Sequence, residues 1–549
     1  MPFRLLSAAS NALSGIAHWT GLDTPAGPSM PLMLARMGLE VSKSVIERLN
    51  GNSVCPQWTL PEEAIFAAIR VFATSTDHAN PITRLGAAQV QFLRATCPET
   101  TERVETDFDD GAVKGFWVGS VPDGFDRQKD PIILYIHGGS FVTGHPLQTC
   151  HALCTILSLL RTEWNIKSRI FAVEYPLAPE HPYPAGSDAC VRTIRWLVDV
   201  VGAEKLVILG DSAGGNFTLS SCLRLRDQFP PSAYLHKIVG CVPISPYVDH
   251  FGPRLPPHVD MSLDGKESGL FTDYLGGFLG RAASRYYTGT KPYAYYKQLG
   301  AWPVPWDEDA WDGIWLKEWD QILGIAPPTA SVHSPSSSNV EHPPYTAQEI
   351  LPARARALRR ASTSGNLSGA ESDAESAIGV SRRNSFQRKY SFVGDRTSPS
   401  LDTSSGLTGI PFPGLESLAQ PFYTNHALSL HDLERIHITR SLDPYCSPYR
   451  ATTFANLPPM LFVVGSKELL SLDILKCVRK ARRTIALARQ NNMESLDNPK
   501  GFGRVDLLEE PVGVHVYLLL PEGLVGNKGV SGLKEVVGWI ANVWKDRTH

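Results

Sequence analysis

The segment Gly210-Asp211-Ser212-Ala213-Gly214-Gly215 sets a hydroxyl among small residues at G-x-S-x-G spacing, directly after the apolar run Leu206 to Leu209. Asn216 to Arg226 then reads as a helix. A strand, a tight turn and a helix in that order raise the serine on a sharp bend, and the helix N-terminus behind it favours negative charge on a reacting oxygen. Glycines at 210 and 214 remove side chains that would collide there. The chemistry this predicts is attack by Ser212 on a carbonyl carbon. The same spacing outside such a setting is an ordinary glycine-rich loop.

Attack on a carbonyl creates an oxyanion, which needs hydrogen-bond donors aimed at it. The apolar run Ile132 to Ile136 ends in His137-Gly138-Gly139-Ser140-Phe141, where backbone amides can approach a ligand without side-chain obstruction. The amides of Gly138, Gly139 and Ala213 are expected to form the oxyanion hole. A tight turn that holds no ligand is the alternative for this loop. His137 is expected to order the loop and not to shuttle protons.

Two more segments join these: Glu174-Tyr175-Pro176-Leu177-Ala178-Pro179-Glu180-His181-Pro182-Tyr183-Pro184-Ala185 and Ile244-Ser245-Pro246-Tyr247-Val248-Asp249. The four motifs in this order resemble the hormone-sensitive lipase family of α/β-hydrolases. The resemblance runs over about residues 100 to 250 and 440 to 525, the second part carrying Asp443-Pro444-Tyr445-Cys446-Ser447-Pro448 and Leu457-Pro458-Pro459. It implies hydrolysis of carboxylic esters through a serine, an acid and a histidine, with N-terminal helices capping an apolar acyl pocket.

The resemblance places the acid after the strand Met460 to Val464, where Glu468 stands in the position that usually holds aspartate. A glutamate can orient an imidazole and stabilise its cation if the backbone accommodates one more methylene. Asp473 is the second candidate, and a solvated charge is the alternative reading of Glu468. Chain order in this fold is serine, acid, histidine, and only His515 and His549 follow Glu468. The resemblance implies a histidine in a loop just beyond a strand. That loop reads Pro521-Glu522-Gly523-Leu524-Val525-Gly526-Asn527, with Gly526 where the imidazole is expected. His515 lies in the run Val512 to Leu520, which reads as a strand, and is named as base from chain order. Without a base the serine is a poor nucleophile, slower by about 10³ or more. Two functions therefore stand side by side: a serine carboxylesterase or lipase acting on a hydrophobic ester, and a non-catalytic ligand-binding pseudo-hydrolase similar to the plant gibberellin receptors.

The elements that must position these groups read as a parallel sheet. Ile132 to Ile136, Ile170 to Val173, Leu206 to Leu209 and Ile238 to Ile244 are short, continuous apolar runs separated by helix-length segments, the pattern of strands covered on both faces. Arg103 to Val118 reads as a hairpin around Asp109, Asp110 and Gly111, and Met30 to Leu49 and Glu62 to Phe72 as helices. The fold class expected is α/β, a mostly parallel central sheet with helices on both faces. Residues 1–100 form a helical cap, 101–325 and 411–549 the two parts of the core, and 326–410 a disordered Ser-, Arg- and Pro-rich insertion.

Of 549 residues, 43% are apolar and 19% charged, with a formal net charge of -3, so nothing draws the chain globally to nucleic acid. The nine cysteines lack the paired spacings of a zinc site; they read as reduced thiols in a cytoplasmic setting, and no metal or cofactor is implied. No apolar run of about 18 residues is present. Leu5, Leu6, Ala9, Leu13 and Ile16 line one side of a helix that either packs on the protein's own mouth or lies on a membrane or lipid surface.

Within the insertion, Arg359-Arg360-Ala361-Ser362 and Arg382-Arg383-Asn384-Ser385 set paired arginines ahead of a serine, a charge pattern that a basophilic kinase reads. Such patterns also arise by chance in Arg- and Ser-rich sequence. Ser362→Ala combined with Ser385→Ala is expected to remove phosphate labelling by a purified basophilic kinase, and unchanged labelling rejects both sites.

Overall fold

The computed structural model describes residues 30–53, 55–75, 87–250, 283–290, 439–495, 497–520 and 527–547, with short pieces at 23–24, 27–28 and 436–437. Contacts divide the chain into one unit of Met1–Trp306 with Gln420–His549 and another of Asp307–Ala419, and every described residue belongs to the first. The expected N-terminal surface helix, the insertion with Ser362 and Ser385, His549 and Gly526 lie outside the described residues.

Eight strands form one sheet: β1 Thr101–Phe108, β2 Gly111–Val118, β3 Ile132–Ile136, β4 Arg169–Val173, β5 Leu206–Asp211, β6 Ile238–Ile244, β7 Met460–Gly465 and β8 Val505–Glu510. Their order is β8-β7-β6-β5-β3-β4-β2-β1. The β1–β2 hairpin and the β2–β4 pair are antiparallel, and the remaining pairs are parallel. The chain steps from β3 outward to β4 and then returns to lay β5 on the other side of β3. Crevices open at such a reversal, beyond the carboxyl ends of the strands.

Strand alternation splits the core in two. Ile132, Leu134 and Ile136 of β3 pack with Ile194 and Leu197 of α5 (Ala185–Asp199), Phe217 and Leu223 of α6 (Ala213–Gln228), and Ile474 and Val478 of α7 (Ser471–Gln490). Ile133 and Tyr135 point the other way, toward Leu153 and Leu160 of α4 (Cys150–Trp164) and Val537 and Ile540 of α8 (Asn527–Asp546). Burial on both faces is why β3, β5 and β6 contain no wet alternation. The expected cap helices appear as α1 Met30–Leu49 and α2 Leu60–Ser75, followed by α3 Ala87–Thr96. Trp58, between α1 and α2, packs in the second cluster and donates its indole N–H to the Val512 carbonyl at 3.0 Å.

The last strand differs from the expectation. Val512 to Leu520 is not a strand; β8 is Val505–Glu510, paired in parallel register with β7 from Val505↔Met460 to Glu510↔Gly465. As the outermost strand β8 is only half-buried and carries Asp506, Glu509 and Glu510, so it lacks the continuous apolar signature of the inner strands. The residues after it are apolar for another reason. The chain turns at Gly513 and at Val516, whose φ is 49°, and Val514, Tyr517 and Leu518 pack beneath α8.

Candidate active site

Ser212 joins β5 to α6 with φ 53° and ψ -114°, a backbone conformation that costs a non-glycine residue about 1–3 kcal/mol. Hydrogen bonds on both sides hold it there. Its N–H donates to Ile244 O at 2.9 Å, and its carbonyl accepts from Tyr247 N–H and Asn216 N–H, each at 3.0 Å. A Cβ on Gly210 would strike the Gly214 carbonyl, and one on Gly214 would overlap the carbonyls of Ile136 and His137, so the bend admits no larger residue at either position. Asn216 Nδ2 donates to Tyr247 O at 2.7 Å and Cys446 O at 2.8 Å, fastening α6 to the loop after β6.

The loop after β3 is fixed to the same bend by Asp211, a residue that motif reading passed over. Its buried carboxyl accepts from Tyr135 Oη at 2.6 Å and from the Gly138 N–H at 3.0 Å, and Thr149 Oγ1 donates to Tyr135 Oη at 2.7 Å. The Gly138 amide is therefore committed to Asp211, which corrects its assignment as an oxyanion donor: it anchors the loop. Gly139 (φ 119°), Ser140 (φ 55°) and Phe141 (φ 65°) then turn the chain. The Gly139 N–H makes no backbone hydrogen bond among the described residues, and the Ala213 N–H, at the first position of α6, has no intrahelical acceptor. Phe141 pins the turn by stacking on Tyr287 with ring centroids 4.1 Å apart.

His137 is buried, stacked on Tyr175 at 4.2 Å, and its Nδ1 lies 2.7 Å from the Gly138 carbonyl. Burial lowers its pKa to about 3, which favours the neutral ring in this packed setting. Burial likewise raises the Asp211 carboxyl, opposed by the Tyr135 hydrogen bond and by positive charge on His515.

The acid and histidine candidates meet at the ends of β7 and β8. Glu468 is fully buried and accepts from Ser245 Oγ at 2.5 Å, and His515 Nδ1 lies 3.6 Å from Glu468 Oε2. Ser245 Oγ in turn accepts from the Val516 N–H at 3.0 Å, so one hydroxyl ties the loop after β6 to both the carboxylate and the residue following the histidine. Asp473, the second acid candidate, instead pairs with Lys476 on α7 at 3.1 Å. With the last strand at Val505–Glu510, His515 stands in the loop beyond a strand and not inside one, which corrects the expectation of a strand over Val512 to Leu520. Burial pushes the Glu468 carboxyl up to about 8, against the Ser245 hydrogen bond and a backbone donor at Gly465.

Ser212, Ser245, Glu468 and His515 thus follow four adjacent parallel strands at their carboxyl ends. Ser245 was legible only as part of a motif; its role depends on a contact 223 positions away along the chain. A groove of about 490 Å³ lies at the opposite end of the sheet, between α7 and the start of β8, lined by Arg482, Phe502 and Arg504, and is remote from this chemistry. No cluster of three or more histidine, cysteine or acidic side chains suited to a metal occurs among the described residues, and no described helix is long and apolar enough to cross a membrane.

Residues 133–270 match a family described as alpha/beta hydrolase fold. Among curated proteins, an esterase of Acinetobacter venetianus is 40% identical over 121 residues, which are 22% of this chain and 36% of that one. Esterase LipI of Mycobacterium tuberculosis is 34% identical over 121 residues, 21% and 35% of the two chains. A versiconal hemiacetal acetate esterase of Aspergillus parasiticus is 30% identical over 162 residues, 30% and 48% of the two. The chain therefore spans between about a third and about half of these relatives. A hormone-sensitive lipase structure from a metagenome library superposes with a TM-score of 0.44 at 16% identity, covering 88% of this chain and 98% of that one.

The burial of Glu468 has a sign that can be checked. Its folded pKa, about 8, lies above the ordinary carboxylate value, so between those pH values the folded chain binds a proton that the unfolded chain has released. Stability is then lost as pH rises through 8. Glu468→Gln, which cannot ionise, is expected to melt near the parent at pH 5 and above it at pH 8.5 in thermal scans; a variant that melts lower at pH 8.5 shows an ionised Glu468 held by its neighbours. Ser245→Ala, which removes the side-chain donor to the Glu468 carboxyl, is expected to cost about 1–3 kcal/mol in denaturant unfolding.

Proposed function

We propose that this chain is a hormone-sensitive lipase-like α/β-hydrolase that cleaves carboxylic esters of a hydrophobic substrate through an acyl-enzyme. The observation that carries the reading is the juxtaposition of a strained Ser212 with a buried Ser245–Glu468–His515 chain at the ends of neighbouring strands. The esterase names of the partial relatives agree with it.

In this mechanism Ser212 Oγ attacks the ester carbonyl carbon while His515 Nε2 accepts its proton. Glu468, 3.6 Å away on the Nδ1 side of the ring, holds its tautomer and, in its ionised form, stabilises the imidazolium. The negative charge on the carbonyl oxygen is taken by the amides of Gly139 and Ala213, with Gly138 holding the loop from behind. Collapse of the tetrahedral species expels the alcohol, which takes the proton from His515. Water then attacks the acyl-Ser212 with His515 again as base, releasing the acid. The non-catalytic reading drew on the lack of a clearly placed histidine; the esterase relatives and a His515 that follows β8 instead of lying within a strand favour the catalytic one.

Regulation by a basophilic kinase at Ser362 and Ser385, and work at a lipid surface from the cytoplasm, extend the proposal from sequence alone.

A short-chain aryl ester tests the reading. Ser212→Ala and His515→Ala are each expected to lower kcat by on the order of 10⁴-fold or more, with little further loss when combined, because the two act as one unit. Equal release of chromophore by parent and Ser212→Ala would overturn it.

A further inference from the structure

Away from the site, three thiols converge. Cys97 follows α3, and Cys150 and Cys154 stand one turn apart on one face of α4. The Cys97 and Cys154 sulfurs are 3.7 Å apart, and Cys97 is partly exposed while both partners are buried. Cys150 and Cys154 both meet the Cys97 sulfur, and these contacts lower the Cys97 pKa and raise their own. The thiolate is the reactive form of cysteine. The other close pair, Cys222 and Cys241 at 3.1 Å, is buried in the core, where a soluble oxidant has no approach.

We propose that Cys97 is an oxidation site that reacts with a hydroperoxide and closes a disulfide with Cys154, fastening the end of α3 to α4. The Cys97 thiolate attacks one oxygen of the peroxide, the O–O bond breaks, Cys97 becomes a sulfenic acid, and the departing hydroxide takes up a proton as water. The Cys154 sulfur then attacks the Cys97 sulfur and the S–O bond breaks. The hydroxide expelled in this step takes the Cys154 proton and leaves as a second water. Two thiols are oxidised to one disulfide, and one hydrogen peroxide is reduced to two waters. Cys97 is the attacking group because it alone of the three is partly exposed. Cys154, in sulfur contact with it, resolves the sulfenic acid before further oxidation.

The test uses the full, reduced chain treated with stoichiometric hydrogen peroxide, then alkylated and mapped by mass spectrometry without reductant. A Cys97–Cys154 linked peptide is expected, with two of the nine free thiols lost and seven retained. Cys97→Ser is expected to abolish the linked peptide. In Cys154→Ala, Cys97 is expected to be recovered joined to Cys150 or as a dimedone adduct of its sulfenic acid, either of which supports the proposal. Oxidation of other cysteines ahead of Cys97, or equal thiol loss in the parent and Cys97→Ser, would overturn it. The parent measurement decides the matter even where a variant fails to fold.

Discussion

The backbone reversal at Ser212 is the constraint on which the site is built. A non-glycine residue at φ 53° persists only if its surroundings hold it there, and they do so from two strands at once. Its amide is bonded to the end of β6, its carbonyl to Tyr247 beyond that strand, and the glycines on either side let β3 and α6 approach within backbone contact. The Cβ of Ser212 is thereby set at the carboxyl end of β5 by the backbone. Everything else in the site is arranged around a point that cannot move far.

Buried polar groups then carry position from loop to loop. Asp211, next to the serine, accepts from Tyr135 and from the Gly138 amide, so the loop after β3 is hung from the same residue pair that makes the bend. On the other side, Ser245 gives its proton to Glu468 and takes the amide hydrogen of Val516, coupling the loops after β6, β7 and β8. In a low-dielectric interior such bonds are strong when satisfied and costly when broken, which suits them to holding geometry. The parallel register of β5 through β8 brings these loops to one edge. Short local segments supply each group, and the sheet alone makes them neighbours.

The side chain of Glu468 is accommodated by this arrangement. The carboxyl of Glu468 is fully buried and is met by Ser245 on one side and His515 on the other, so the side chain has partners where it ends. Burial favours its uncharged form, and the hydrogen bonds from Ser245 and at Gly465 favour the ionised one.

Motif and pattern in the chain itself determined the inner strands, the serine on its turn and the glycine-rich loop after β3, because each is written in contiguous residues: continuous apolar runs require two covered faces, and a bend that tight requires glycine. The position of the last strand was hidden, since an edge strand half open to water has no apolar signature and the apolar residues beyond it are buried by α8 instead of by pairing. The same ambiguity concealed the setting of His515. Only the tertiary structure decided that the Gly138 amide belongs to Asp211, that Ser245 joins Glu468 to the His515 loop, and that Cys97 meets Cys154, because each is a contact between groups 57 to 271 positions apart, a pairing set by sheet order and packing that no local stretch of sequence encodes.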